Sequence, residues 1–232
     1  MNSFSSFSIA VIALLAHKTR TLLASLGILI GIASVIIMVA IGKGSKKEMM
    51  DVIADMGENM VTINAGEMKR RGGRLRLSGN VITLIPKDAK SIADEIGEVE
   101  LVAPFEEKRM NAKFDNNTAE TSIAGSTLDF PIIRGYRIEQ GDMFSEKDIK
   151  TAGRVAVIGK TVVKNLFGDE DPVGQVVKVH FIPFKIVGVF EAKGVDTNGL
   201  DQDDLIFIPL PTLMRRIVNQ THVSRIFVKV SS

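Results

Sequence analysis

The sequence predicts an α+β protein with one N-terminal transmembrane helix, followed by a β-α-β domain that carries an inserted strand-rich lobe. Three observations support this class. Residues 21–41 carry no charge, residues 59–104 and 205–230 each contain a strand-helix-strand pattern, and strand patterns fill much of the chain between them. A β-α-β unit exposes an apolar sheet face and an apolar helix face, so we expect the two distant units to share one core.

The transmembrane prediction rests on the segment from Thr21 to Ile41, which has 21 residues without a charged side chain. At 1.5 Å per residue such a helix measures ~31 Å, the thickness of the hydrocarbon core of a bilayer. A secretory signal is the alternative, but its apolar core is about 7–15 residues long and ends at a small-residue cleavage site. No A-x-A-like site follows at once, so we expect a retained helix.

Gly27 and Gly31 form a G-x-x-x-G motif, and Ser34 lies near the same face of this helix. Small residues let a second helix approach the backbone closely, so these three positions are candidates for membrane helix packing. Glycine is also common in helices that face lipid, and the motif alone does not separate the two interpretations.

Residues 1–20 place apolar side chains at roughly helical spacing and end in His17, Lys18 and Arg20. This pattern predicts a short helix in the membrane interface, with its basic side chains against lipid head groups. Charge does not settle the orientation of the span, because basic residues also follow it closely: Lys43, Lys46 and Lys47. Long domains translocate largely regardless of such flanking charge.

The residues after the span predict one domain in two parts. The elements expected in its first part are a helix continuing the span as a stalk (45–56), a strand (59–66), a polar loop to Asn80, a helix (86–97) and a strand (98–104). Residues 45–105 and 205–232 are expected to form the β-α-β part, and residues 106–204 the inserted lobe.

Within the lobe, Asn116-Asn117 joins two strand patterns as a hairpin, and GRVAVIG, VVKV and FKIVGVFEA predict further strands. KTVVKNLFG (160–168) predicts a helix. A sheet shared by the two ends of the domain would bring Val61 and Ile63 near the last strand, which contains Ile226 and Val228.

The stretch GRVAVIGKT (153–161) ends like a nucleotide-binding P-loop. That motif reads G-x-x-x-x-G-K-[ST], so the partner of Gly159 would be a glycine at the position of Arg154. The residues between them form an apolar run, which is typical of a buried strand and not of an open phosphate-binding loop. We therefore expect no nucleotide binding here, and any ATPase that drives this protein is another chain.

Composition and motifs exclude several other function classes. With 45% hydrophobic and 24% charged residues the chain can bury a core, and a net charge of +2 does not suggest nucleic-acid binding. The basic run KRRGGRLR (69–76) is more typical of a solvated loop than of a phosphate or lipid contact. Without cysteine there is no disulfide, Cys-based zinc site or thiol chemistry.

The acidic cluster Asp201, Asp203 and Asp204 is the best candidate for a polar site. A calcium loop would need glycine and glutamate at its sixth and twelfth positions, which are Ile206 and Thr212. We expect a polar loop that contacts a partner chain. No H-E-x-x-H or G-x-S-x-G motif occurs, so we predict no catalytic residue, no metal and no cofactor.

Several segments, in order, resemble the MacB/FtsX-type permeases of ABC transport systems. The resemblance covers almost the whole chain and is carried by KTRTLLASLGILIGIASVIIMVAIGKGSKKEM, MGENMVTINAG, VAVIGKTVVKNLFGDEDPVGQVVKV, PFKIVGVFEAKG and DQDDLIFIPL. It implies a cytoplasmic N-terminus, a helix spanning the bacterial inner membrane, and an extracytoplasmic domain with a porter-like part and an inserted lobe. Three further membrane helices normally follow in that family. Because no second apolar span precedes VKVSS, we expect the chain to be the front portion of a permease.

The resemblance also implies partners and a mechanism. The partners are a separate ABC ATPase, a second permease copy, membrane lipid and, for efflux, a periplasmic adaptor. Family members transmit ATPase motion across the membrane, so the leading hypothesis is a permease for export or efflux. The alternative is an FtsX-like or lipoprotein-release-like permease that relays force to an extracytoplasmic partner. A membrane-anchored enzyme is the third hypothesis, and no sequence motif supports it.

Overall fold

The structure, a computed structural model, describes residues 16, 18–55, 59–71, 74–78, 83–196 and 199–231. The chain divides into two compact units, Met1–Asp51 and Val52–Ser232. Most of the interfacial helix predicted for residues 1–20 lies outside the described residues.

Helix α1 (Lys18–Asp55) is a single helix of 38 residues. Its segment Lys18–Lys47 is, by length and composition, apolar enough to cross a membrane. Glycine destabilises a helix interior, and two glycines, Gly42 and Gly44, follow the predicted span. Both lie inside the continuous helix, so the predicted span and the stalk residues up to Asp55 form one element.

The second unit contains the remaining elements. In chain order they are β1 (Met60–Asn64), β2 (Glu67–Arg71), β3 (Arg74–Ser78), α2 (Pro86–Glu95), β4 (Val99–Phe114), β5 (Asn117–Ser126), α3 (Asp129–Ile133), β6 (Ile138–Gly141), α4 (Glu146–Thr151), β7 (Val155–Ile158), α5 (Lys160–Val162) with a π-helical turn (Val163–Phe167), β8 (Val176–Val179), β9 (Ile182–Phe190), β10 (Leu205–Pro209), α6 (Leu210–Thr212) with a π-helical turn (Leu213–Ile217), and β11 (Arg225–Val230).

The two ends of this unit share one antiparallel sheet, in the order β1-β11-β4. Val61 pairs with Val228 and Ile63 with Ile226, which confirms the pairing expected from the sequence. Helix α2 begins with proline at its first turn and buries Ala89 in the same apolar cluster as Ile226 and Val228. This cluster closes the porter-like sheet, so neither end of the unit buries its apolar surface alone.

Strand β4 belongs to both parts of the unit. Its residues up to Phe105 pair with β11, and from Glu106 onward they pair with β5. The pairing order then runs β4-β5-β10-β7-β9-β8, and β8 returns to the end of β4, which closes a barrel. Hereafter the point between Phe105 and Glu106 is called the strand switch.

Three expectations need correction. We predict β10 in the sheet shared by the two ends, but it pairs with β5 and β7 in the barrel, where all five of its residues are buried. Residues 67–71 and 74–78 are predicted as part of a loop, but they form the antiparallel strands β2 and β3. The β4–β5 turn lies at Asp115-Asn116, since Phe114 already pairs with Asn117. Sequence patterns also missed three short elements: β6, α3 and α4.

Candidate functional site: a cleft at the strand switch

A cleft of about 430 Å³ lies beside the strand switch. Side chains of β1, β4, β5 and β11 form one wall. The segment from α3 to Tyr136 and the loop before β10 form the other. Both walls belong to the second unit.

The alternation of side chains along β4 and β11 determines which residues face the cleft. Phe105, Glu107 and Arg109 are two residues apart on β4 and therefore share one face of the sheet. Arg225 is the direct cross-strand partner of Phe105, and Phe227 follows two residues later on β11. These five side chains all line the cleft.

Phenylalanine rings form the apolar part of the cleft. Phe105 stacks on Phe130 of α3 with ring centroids 4.7 Å apart, and its centroid lies 5.2 Å from that of Phe227 in an edge-on contact. All three rings are buried, with at most 5% of each residue exposed. Aromatic contacts of this kind stabilise the wall.

Arginine side chains lie against these rings. The Arg225 guanidinium is 5.1 Å from the Phe105 centroid and donates to the Glu107 carboxylate at 2.8 Å. The Arg134 guanidinium is 5.8 Å from the Phe227 centroid and donates to Oε1 of Gln202 at 3.2 Å. Cation–π contact and these hydrogen bonds hold both guanidinium groups at the cleft.

Tyr136 is the single tyrosine of the chain and lines the same cleft. Its hydroxyl donates to the backbone oxygen of Gln202 at 3.2 Å. Burial raises the pKa of Tyr136 to about 12, and the nearby Arg134 charge opposes that rise. The phenol therefore stays protonated and remains a donor at neutral pH.

The three acidic residues singled out by the sequence are bonded within the unit. Asp203 is buried and accepts from the backbone N–H groups of Lys193 and Gly194 at 2.8 and 2.9 Å. Asp201 accepts from the Thr161 hydroxyl at 2.7 Å. Asp204 forms an ion pair with Arg109 at 2.9 Å. These bonds order the loop before β10, and its contact with a partner chain stays a prediction.

Metal binding finds no support in the part of the chain that the structure describes. No group of three or more His, Asp or Glu side chains there could hold an ion.

Two residues of the P-loop-like stretch, Gly159 and Lys160, contact other residues of the same unit. A Cβ at Gly159 would lie 2.2 Å from the backbone oxygen of Asp203, so only glycine fits there. Lys160 forms an ion pair with Glu139 at 2.7 Å. Val155–Ile158 is a buried-core strand, as the sequence predicted.

Membrane helix packing at Gly27, Gly31 and Ser34 stays a prediction. Within the described residues, a Cβ at either glycine would meet no atom within 4 Å. The Ser34 hydroxyl donates to the Ile30 backbone oxygen at 2.8 Å, inside its own helix.

Sequence reasoning missed the cleft. The alternation Phe105-x-Glu107-x-Arg109 was a usable signal for one wall. Arg134 and Tyr136 follow a short helix that the sequence did not indicate, and no motif marks them.

Comparison with known proteins gives consistent results. Residues 21–232 match the sequence profile of the family described as MacB-like periplasmic core domain. The chain is 38% identical over 96% of its length to the macrolide export ATP-binding/permease protein MacB of Marinobacter nauticus. It is 36% identical over 98% of its length to the MacB of Wolinella succinogenes. It spans about a third of each relative, 34% in both cases.

Solved structures share the fold. The periplasmic region of MacB from Actinobacillus actinomycetemcomitans superposes with a TM-score of 0.64 at 23% identity, covering 78% of each chain. The extracellular domain of the noncanonic ABC-type transporter YknZ from Gram-positive bacteria gives a TM-score of 0.60 at 16% identity. That match covers 75% of this chain and 84% of the YknZ domain.

Proposed function

This chain belongs to the MacB-like periplasmic core domain family, and from that premise we propose that it forms the N-terminal membrane helix and outer domain of a MacB-type permease. In this proposal the N-terminus is cytoplasmic, the helix crosses the bacterial inner membrane, and residues 45–232 are extracytoplasmic. The permease works in export or efflux with a separate cytoplasmic ATPase, and it has no catalytic activity of its own.

The observation that carries the proposal is the unbroken helix α1, which reaches eight residues past the membrane-crossing segment to Asp55. A continuous helix transmits tilt or displacement as a rigid body, whereas a flexible linker would absorb it. At the other end, β4 is shared between the porter-like sheet and the barrel, so displacement of one part moves the other.

The contacts around Gly159 support the proposal that the stretch GRVAVIGKT (153–161) does not itself bind ATP. The glycine packs against the backbone of Asp203, and Lys160 is paired with Glu139. Neither residue is arranged around an open loop that could hold a phosphate.

The partners follow from the same proposal. They are the ABC ATPase, a second permease copy in a homodimer, membrane lipid and, for efflux, a periplasmic adaptor. In the alternative function, the same helix relays force to an extracytoplasmic hydrolase or lipoprotein. An adaptor gene beside the permease gene favours efflux, and a hydrolase gene there favours the relay.

The test uses the full-length permease in proteoliposomes. We expect ATP hydrolysis only when the separate ATPase is added, and we expect the same rate with Lys160→Ala. Saturable ATP binding by the permease alone, lost in Lys160→Ala, would show that the ATPase assignment is wrong.

A further inference from the structure

We propose that the β2–β3 hairpin is a docking element for an extended acidic segment of a protein partner, which adds as a strand beside the hairpin. This inference is independent of the coupling to an ATPase. It rests on the charge and register of the hairpin and on the place where the hairpin joins the domain.

The hairpin concentrates positive charge. Residues 65–85, which join β1 to α2, include five basic residues and one glutamate. Backbone pairing places Lys69 opposite Arg76 and Arg71 opposite Arg74. Directly paired positions share one face of a hairpin, and so do positions two residues apart on one strand. Four of the five basic residues therefore belong to one face, which is called the basic face from here on.

This distribution of charge is unfavourable for a hairpin on its own. Like charges at directly opposed positions of two strands destabilise their pairing, and an isolated two-stranded hairpin is at best marginally stable in water. Two such like-charge pairs follow one another on the basic face. A partner with negative charges at matching positions would remove the repulsion and so stabilise the hairpin.

The spacing of the basic face fits an extended acidic chain. Two residues along a strand span about 6.6–6.8 Å, so acidic residues at alternate positions of an extended segment repeat at the same interval as the basic positions. Within the described residues β2 and β3 pair only with each other, which leaves one backbone edge of each strand without a strand partner. Such an edge can accept a further strand. The added strand would place opposite charges beside the basic face, where they stabilise the pairing.

The hairpin joins the domain at the strand-switch end of β11. Before the hairpin, the Ala65 N–H donates to the Ser224 backbone oxygen at 2.8 Å. After it, the Leu84 oxygen accepts from the Val223 N–H at 2.9 Å. The chain coming from α1 reaches the domain at the other end of β11, where the Asn59 oxygen accepts from the last N–H of that strand at 3.0 Å. The length of β11 therefore separates the hairpin base from this entry point, which favours a protein segment over a lipid surface as the partner.

The acidic residues next to the hairpin base are engaged in other bonds. Glu106 accepts from the Ser224 N–H at 2.6 Å. Glu107 accepts from both Ser122 and Arg225. These carboxylates would have to give up those bonds to neutralise the hairpin, so we expect the counter-charge to come from another molecule.

The experiment titrates a dye-labelled octapeptide with the purified full chain and follows its fluorescence anisotropy. The probe alternates glutamate and threonine. One control peptide alternates glutamine and threonine, and the other carries four glutamates followed by four threonines. We expect the alternating acidic peptide to bind about 10-fold more tightly than either control, because charge and spacing both contribute. Added salt should weaken its binding.

Matched variants locate the binding site. The double variant Arg74→Gln, Arg76→Gln should weaken binding of the alternating acidic peptide about 10-fold. The double variant Lys147→Gln, Lys150→Gln removes two exposed charges from α4 and should leave binding unchanged. Circular dichroism establishes that both variants fold.

Two kinds of result would overturn the proposal. The first is equal binding of the acidic peptide and either control peptide, or unchanged binding by the Arg74→Gln, Arg76→Gln variant. The second is displacement of the peptide by glycerophosphoglycerol, the soluble head group of phosphatidylglycerol, at a lower concentration than by unlabelled peptide, which would identify a lipid surface instead.

Discussion

Arg225 and Glu107 are joined by an ion pair of 2.8 Å that links β11 of the porter-like sheet to the barrel half of β4. Next to it, the backbone N–H of Ser224 donates to the Glu106 carboxylate at 2.6 Å. Polar bonds from two adjacent β4 residues, Glu106 and Glu107, to β11 therefore connect the two parts of the outer domain at the strand switch.

The first prediction concerns the coupling between Arg225 and Glu107. Both side chains are more than a third exposed, so a double-mutant cycle with Arg225→Met and Glu107→Gln should give only about 0.5–1 kcal/mol. The pair Lys229–Glu100, on the same two strands, has a longer N–O distance of 3.1 Å and a half-exposed glutamate, so it is the control and should give less. Equal coupling in the two cycles, measured by chemical denaturation, would mean that the switch pair has no special role.

The second prediction concerns Gly159. Gly159→Ala should destabilise the domain by about 1–3 kcal/mol, because the new Cβ overlaps the backbone oxygen of Asp203 and forces the loop to move. Gly97→Ala is the control, since its Cβ would meet nothing within 4 Å. Thermal unfolding of the two variants measures the difference. A Gly159→Ala variant as stable as Gly97→Ala would contradict the packing described.

The third prediction is the alkaline titration of Tyr136. Its folded pKa of about 12 is raised above the value of 10.0 expected for an unfolded chain. The stabilisation linked to its proton is therefore fully present below pH 10 and is lost as the pH rises toward 12. Tyrosinate absorbance should titrate near pH 12 in the folded chain and near 10 in denaturant. A midpoint near 10 in the folded chain would show that Tyr136 is not buried at the cleft.

The fourth prediction tests the small-residue face of the membrane helix. Gly31→Ile should weaken helix association by about 1–2 kcal/mol if this face meets another helix. Ala40→Ile is the matched control, because nine residues at about 100° each place it on the opposite face. Cross-linking of the full-length permease in the bilayer gives the readout. Unchanged assembly with Gly31→Ile would identify a lipid-facing surface.

The elements that could be predicted from the sequence are those whose local residue pattern fits only one structure. Pro86 at the start and the spacing of Ala89, Ile92 and Ile96 marked α2. The apolar faces of β1 and β11 had no other cover, which gave the pairing of Val61 with Val228.

The remainder depended on tertiary contacts that leave no local signal. The run Leu205–Pro209 is buried on both faces, so it shows no alternation that would assign it to one sheet or the other. The cleft brings together Arg134 and Arg225 from distant segments. Glycine is required at position 159 because a Cβ there would overlap the backbone of Asp203. The similarity of this stretch to a phosphate-binding motif is therefore accidental. The domain boundary at 105/106 stays a proposal, whereas the boundary at 204/205 does not fit the pairing of β10 with the barrel strands β5 and β7.

The central claim is that helix α1 carries motion from the ATPase to the outer domain. Its most direct test inserts seven residues between Lys47 and Glu48 of the full-length permease, either a flexible Gly/Ser segment or a helical Ala/Glu/Lys segment. Seven residues add about two helical turns and so preserve the facing of the domain.

The readout needs no knowledge of the substrate. Because residues 1–232 contain no cysteine, Asn116→Cys at the β4–β5 turn can be spin-labelled, and the distance between labels in two copies is measured with and without ATP hydrolysis. We predict that the helical insertion keeps the ATP-dependent change in distance and that the flexible insertion abolishes it while ATP hydrolysis continues. An equal change in distance with both insertions would contradict rigid transmission through α1.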